Sequence, residues 1–142
     1  MKLILKHIKF TPLKYRSFPK NFCLSRQTKF KCILEFFPVL NSLFQFPGPN
    51  LRARHGSIIK VEVYNDLPTE SVTVHWHGIH QTDNYWMDGA AYANQCPISA
   101  HQNYTYVFRA EMPGTFWYHS HNGIQRLDGI FGGLTIYDKG SV

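Results

Sequence analysis

At 142 residues the chain holds one domain at most, and its apolar fraction of 44% is that of an ordinary globular protein. The net charge of +6 is unevenly spread. Residues 1–34 carry nine Lys or Arg and no acid, leaving six basic against nine acidic residues beyond them, a net of −3. The overall basicity is thus no case for nucleic-acid binding by the body of the chain, and no apolar run approaches the ~20 residues that a membrane-spanning helix needs.

Residues 1–45 read as a poorly structured basic leader or a mis-predicted first exon. Leu3-Ile4-Leu5 is broken by Lys6, His7 and Lys9, so no apolar signal-peptide core forms. Cys23 and Cys32 lack both CxxC spacing and a nearby histidine pair, which favours incidental thiols over a zinc site. From Phe46 the character changes, and residues 46–142 read as the folded domain. Pro47-Gly48-Pro49 predicts a turn. Ser57–Tyr64 alternates apolar with polar residues and predicts a half-buried strand. Asn65-Asp66-Leu67-Pro68 turns the chain. Further strands are expected over Ser71–His77, Tyr104–Ala110, Thr115–His121 and Gly132–Tyr137, with Pro113-Gly114 as a turn between the second and third of these. Short strands separated by Gly/Pro turns, without helical periodicity, argue for an antiparallel β-sandwich or barrel. The long connection 79–101 is the segment expected to carry function.

Two His-x-His pairs carry the chemistry. Side chains alternate across a strand, so His75 and His77 project from one face and Trp76 from the other, with Val72 and Val74. The same alternation places His119 and His121 together with Trp117, opposite Phe116 and Tyr118. Each pair offers two imidazoles on a stiff backbone, and such pre-positioned nitrogen ligands are what a metal cluster needs. With no cysteine near either pair, the donor set is all nitrogen, which suits copper or zinc. A lone strand histidine is usually an ordinary surface residue. Two pairs, each ending an aromatic-rich strand and followed by glycine within two residues, are not explained that way. His7 and His101 are expected to face solvent, His55 to sit in a turn before Gly56, and His80 to be a loop residue. The aromatics around the pairs read as core packing rather than an electron relay. Asn103-Tyr104-Thr105 is a glycosylation sequon.

Five ordered motifs carry a resemblance: Val74-His75-Trp76-His77-Gly78, Trp86-Met87-Asp88-Gly89, Gln95-Cys96-Pro97-Ile98, Gly114–His121 and Asp128-Gly129-Ile130-Phe131-Gly132. Over about Phe46 to Tyr137 the chain resembles the first domain of a laccase-type multicopper oxidase, most similar in residues 78–81 and 86–89 to animal laccases. The resemblance implies a cupredoxin-like Greek-key β-sandwich. It implies copper as cofactor, dioxygen and a phenolic or diphenolic reductant as substrates, and a secreted protein. In such oxidases four His-x-His pairs hold a trinuclear centre of one type 2 and two type 3 coppers. By motif position His75 resembles a type 2 ligand, His77 and His119 ligands of one type 3 copper, and His121 a ligand of the other. Asp88 matches an acid near the cluster that assists proton delivery. Cys96 matches a cysteine that often pairs with the far end of such chains.

The sequence departs from the family pattern in several places. It carries no third or fourth His-x-His pair and no His-Cys-His segment for a type 1 copper. Ser57 stands where the family usually has Asp after Gly56, and the leader replaces the first strands. The expectation is a fragment, incomplete at its N-terminal edge and marginally stable, whose missing cupredoxin domains act in cis or on another subunit. A stand-alone, non-catalytic copper-binding module is the alternative.

Overall fold

The computed structural model describes residues 2–11, 46–138 and 140. Two sheets form a β-sandwich. The first contains β1 (Lys2–Thr11), β3 (Ile58–Asp66) and β5 (Asn103–Arg109) in the order β1-β3-β5. The second contains β2 (Gly48–Arg54), β7 (Phe131–Tyr137), β6 (Gly114–Ser120) and β4 (Val74–His77) in the order β2-β7-β6-β4. The named strands pair antiparallel except β2 with β7. This is the all-β, cupredoxin-like architecture expected from the strand spacing and the resemblance.

The period-2 pattern explains the layers. Ile59, Val61 and Val63 of β3 are buried while Lys60 is exposed, and β5 alternates likewise through Tyr106 and Phe108. From the second sheet come Leu51, Val74, Trp76, Tyr118, Leu134 and Ile136. Trp76 lies at the centre of this layer, with ring centroids 4.8 Å from Phe108, 5.4 Å from Tyr106 and 5.9 Å from Tyr118. Fully buried Asn65 ties the turn after β3 to the rest. Its amide donates to the Glu70 and Ile98 carbonyls, and its oxygen accepts from the Leu67 N–H. The predicted Asn65–Pro68 turn therefore has a polar anchor inside the core.

Two strands lie where the sequence pattern gave no strand. β2 begins inside the predicted Pro47-Gly48-Pro49 turn. Its short Leu51-Arg52-Ala53-Arg54 alternation gains its ladder from β7, a partner some eighty residues away, so no local signal announces it. β1 lies within the basic leader, where the sequence pattern gives no sign of a strand. Its backbone pairs along β3 from Lys2↔Asp66 to Thr11↔Ile58, with a register shift between Lys6 and Ile8. Lys6, His7 and Lys9 break an apolar run without preventing backbone pairing. The remainder of the leader, with Cys23 and Cys32, lies outside the described residues. Conversely, the strand expected over Ser71–His77 is regular only from Val74, with Val72 making an isolated bridge to Ile98.

Candidate metal centre

β4 and β6 pair antiparallel with His75 directly opposite His119 and Trp76 opposite Tyr118. That register decides the site. Trp76 and Tyr118 point into the sandwich, so the histidines share the outer face of the second sheet. Gly78 (φ +91) turns the chain immediately after His77. His121 follows the last residue of β6, its N–H bonded to the Thr73 carbonyl at 3.3 Å.

The four imidazoles converge. Ring centroids of His75 lie 5.4 Å from His77, 5.3 Å from His119 and 5.5 Å from His121. Ligand nitrogens of His75, His77 and His119 all lie within 4.8 Å of one another. His121 stacks on His119 at 6.2 Å and is solvent-exposed, outside that tightest group.

Hydrogen bonds assign the tautomers. His119 Nδ1 faces the Ser120 carbonyl at 2.8 Å and His75 Nδ1 faces the Asp88 carbonyl at 2.8 Å. A carbonyl only accepts, so each Nδ1 carries the proton and, in the neutral ring, each Nε2 carries a lone pair. Anchoring the far ring nitrogen in this way is how proteins orient metal-binding histidines. His77 Nδ1 sits 3.3 Å from His119 Nε2. Two imidazole nitrogens bound to one ion at ~2.0–2.1 Å, at a tetrahedral angle, lie about 3.3 Å apart. The donor set and this spacing therefore fit a copper-sized ion.

His119 is the covered member of the group, 3% exposed, with the Trp117 ring 4.4 Å away. Burial pushes its pKa from 6.5 down to about 4, helped by the neighbouring charges of His75, Arg126 and His77 and opposed by the Ser120 carbonyl. At neutral pH the ring is uncharged and ready to ligate. A base with a depressed folded-state pKa stabilises the fold fully above its unfolded pKa, and that contribution is lost as pH falls. The metal-free chain should therefore lose stability between pH 6.5 and about 4, and His119→Phe should flatten that part of the profile. Chemical denaturation across the pH series measures both.

Asp88 arrives from the long 79–101 connection. Its carboxylate lies 3.3 Å from His75 Nδ1, beside the bond made by its own carbonyl. Gly89 makes the approach possible. It has φ +84, and a Cβ there would fall 1.8 Å from the Val74 carbonyl oxygen of β4. Gly89→Ala should cost ~1–3 kcal/mol or more in stability, from the left-handed backbone and the clash with main chain. It should also weaken metal affinity by pulling Asp88 off His75. Gly123→Ala, at φ +54 with open space around it, should cost less and spare the metal. Thermal melts and copper titrations of the two variants separate these effects.

The end of β6 is held from outside the cluster, a feature the motif reading missed. Ser120 Oγ donates to Gln125 Oε1 at 2.6 Å, and Gln125 Nε2 donates to the Ser71 carbonyl at 2.9 Å. Asn122 Nδ2 also donates to the Ser71 carbonyl, at 2.7 Å. Nothing in the sequence announced it, because the burial of Gln125 comes from packing against the distant Ser71 segment. The other histidines stand apart. His55 is in a turn near Asp138, His101 is exposed near Asp66, and His80 is an exposed loop residue. Trp117, however, packs on the histidines rather than in the core, 5.1 Å from His77. Cys96 is exposed and free of any disulfide among the described residues.

Comparison with known proteins gives a consistent result. The sequence profile described as "Multicopper oxidase" matches residues 37–141. An L-ascorbate oxidase of Cucurbita maxima is 47% identical over 92 residues, 65% of this chain and 16% of that protein. Laccase-5 of Trametes versicolor is 44% identical over 98 residues, 66% of this chain and 19% of that protein. The crystal structure of a laccase from Botrytis aclada superposes with a TM-score of 0.64 at 40% identity, covering 65% of this chain and 17% of that one. The chain thus spans less than a fifth of the length of these relatives. A copper-compatible histidine cluster on a cupredoxin-like sandwich, matched by this profile over most of its length, places the chain in the multicopper oxidase family of copper-containing oxidoreductases.

Proposed function

We propose that this chain supplies half of the ligands of a trinuclear copper centre in a secreted, laccase-like oxidase. The observation that carries the reading is the His75↔His119 register, which brings two sequence-distant His-x-His pairs to one outer face. His75 would serve the type 2 copper, His77 and His119 one type 3 copper, and His121 the other. The 3.3 Å approach of His77 Nδ1 to His119 Nε2 supports a shared ion. Copper at such a centre supplies the coupling of four one-electron oxidations of a phenol or diphenol to the reduction of dioxygen to two waters.

The residues of this chain have separable tasks. Asp88 orients His75 through its carbonyl and holds a carboxylate beside the cluster, where it would take up and pass on a proton. Trp117 shields His119 and His77 on one side. His77 would give up its Nδ1 proton on binding metal, since that nitrogen faces the shared position. Ile124 and Leu127, 69% and 80% exposed, line a cleft with His119, His121 and Arg126. Apolar side chains left open beside a half-complete ligand set suit a face that another cupredoxin domain, in cis or on another subunit, would cover. Residues 46–142 would be the cupredoxin unit. The motif likeness at residues 78–81 and 86–89 favours diphenols over ascorbate as reductant.

Copper titration of the purified chain tests the ligand set, and the genomic sequence downstream of it tests the enzyme. The expected results are tight uptake of roughly one to two copper ions per chain, no diphenol oxidation by this chain alone, and a following segment that encodes His-Cys-His. Failure to retain copper would overturn the reading. Retention of copper with no such segment would leave the stand-alone copper module instead.

A further inference from the structure

We infer that Asn103 is an N-glycosylation site, placed on the sheet opposite the histidine cluster. The chain has a single Asn-x-Ser/Thr sequon, Asn103-Tyr104-Thr105, and neither Tyr104 nor the following Tyr106 is proline.

The structure adds three observations. The first is orientation. Alternation along β5 sends Tyr104, Tyr106 and Phe108 inward and leaves Asn103, Thr105, Val107 and Arg109 on the outer face. The acceptor amide and the Thr105 hydroxyl that completes the sequon therefore lie on one solvent-facing side, two residues apart in extended backbone. The second is access. Among the described residues β5 is an edge strand paired with β3 alone, and Asn103 is its exposed first residue. The 79–101 connection covers the other end of that edge, where Asn84 Nδ2 donates to the Val107 carbonyl at 2.9 Å. It makes no such bond at Asn103. The third is the lack of a structural task. Asparagine is a poor strand former, and among the described residues no hydrogen bond holds its side chain. Nothing in the fold accounts for asparagine at this position.

The location is also compatible with the proposed metal face. Asn103 belongs to the β1-β3-β5 sheet and the histidines to the outer side of β4 and β6. A bulky, solubilising sugar at Asn103 would leave the cluster and its apolar cleft open to a partner domain. The chemistry is a glycosyl transfer from a polyisoprenyl-diphosphate oligosaccharide in the secretory compartment. The bond between asparagine Nδ2 and sugar C1 forms, the C1–O bond to the diphosphate breaks, the lipid diphosphate leaves, and the amide gives up one proton.

The inference rests on the secretory route proposed above, so the test supplies that route. The full chain is expressed behind a cleavable signal sequence in eukaryotic cells, and both the membrane-enclosed and the secreted fractions are treated with peptide N-glycosidase and analysed by peptide mass spectrometry. Attachment precedes folding, so poor folding does not hide the result. The expected outcome is a gel shift reversed by the enzyme and a sugar mapped to the Asn103 peptide. Asn103→Gln and Thr105→Ala should abolish the shift, and Thr105→Ser should retain it. An unmodified Asn103 peptide in cells that glycosylate a control protein would overturn the site. The secretory proposal stands or falls separately, on whether the genomic sequence upstream of this reading frame encodes a signal sequence.

Discussion

His119→Ala is expected to lower the copper affinity of the chain by at least ~100-fold, since loss of a mere supporting partner of a metal ligand already costs 10–100-fold. His119 is the strongest single choice among the four. It is buried where His77 and His121 are exposed, and it stays neutral down to about pH 4. Its Nδ1 is anchored to the Ser120 carbonyl, and its Nε2 faces His77 at 3.3 Å. Removing it leaves His75 and His77 of β4 without the ligand that β6 brings to them. His80→Ala, in an exposed loop outside the cluster, should leave affinity unchanged and controls for unspecific binding. Competitive titration against a chelator of known affinity measures both, with circular dichroism to confirm that each variant is folded. Equal copper retention by His119→Ala and wild type would mean that the pairs do not share an ion.

The largest effect on stability is expected at Trp76. It is fully buried between Phe108 and Tyr106 of one sheet and Tyr118 of the other. Trp76→Ala should cost ~3–5 kcal/mol, the range for truncating a large core aromatic. Against a total domain stability of ~5–15 kcal/mol, that is enough to unfold part of the population. Trp76→Phe keeps most of the apolar volume. It also removes an indole N–H that finds no partner among the described residues, so it should cost distinctly less. Urea denaturation followed by circular dichroism reads both changes. A loss below about 1 kcal/mol for Trp76→Ala would contradict a core built around this ring. The effect also reaches the metal centre, because Trp76 lies between His75 and His77 and its seat in the core aims both imidazoles outward.

Strand alternation made the facing of each His-x-His motif legible: His75 and His77 flank inward Trp76, and His119 and His121 flank buried Ser120, so the two histidines of each motif share a face. The same rule predicted β3, β5 and β7 nearly to their ends. It failed for β2, whose partner is distant and whose opening residues carry a turn signature, and for β1, whose lysines conceal backbone pairing. The reading of Trp117 as core packing failed as well, although alternation puts it on the side of His119, because a side chain on the outer face has no fixed partner until neighbouring strands are set in register.

Local chemistry along the chain thus determined the residue types able to hold copper, the side of its strand that each occupies, and the loop that would bring an acid to them. Only the tertiary structure decided that the two pairs meet. That depends on the β4–β6 register, and a slip of one residue would send one pair into the core while the other stayed outside. The tautomers of His75 and His119, the neutrality of His119 and the contact of Asp88 with His75 were likewise decided by the fold. Each is set by a carbonyl or a degree of burial that long-range packing supplies and that no sequence window contains.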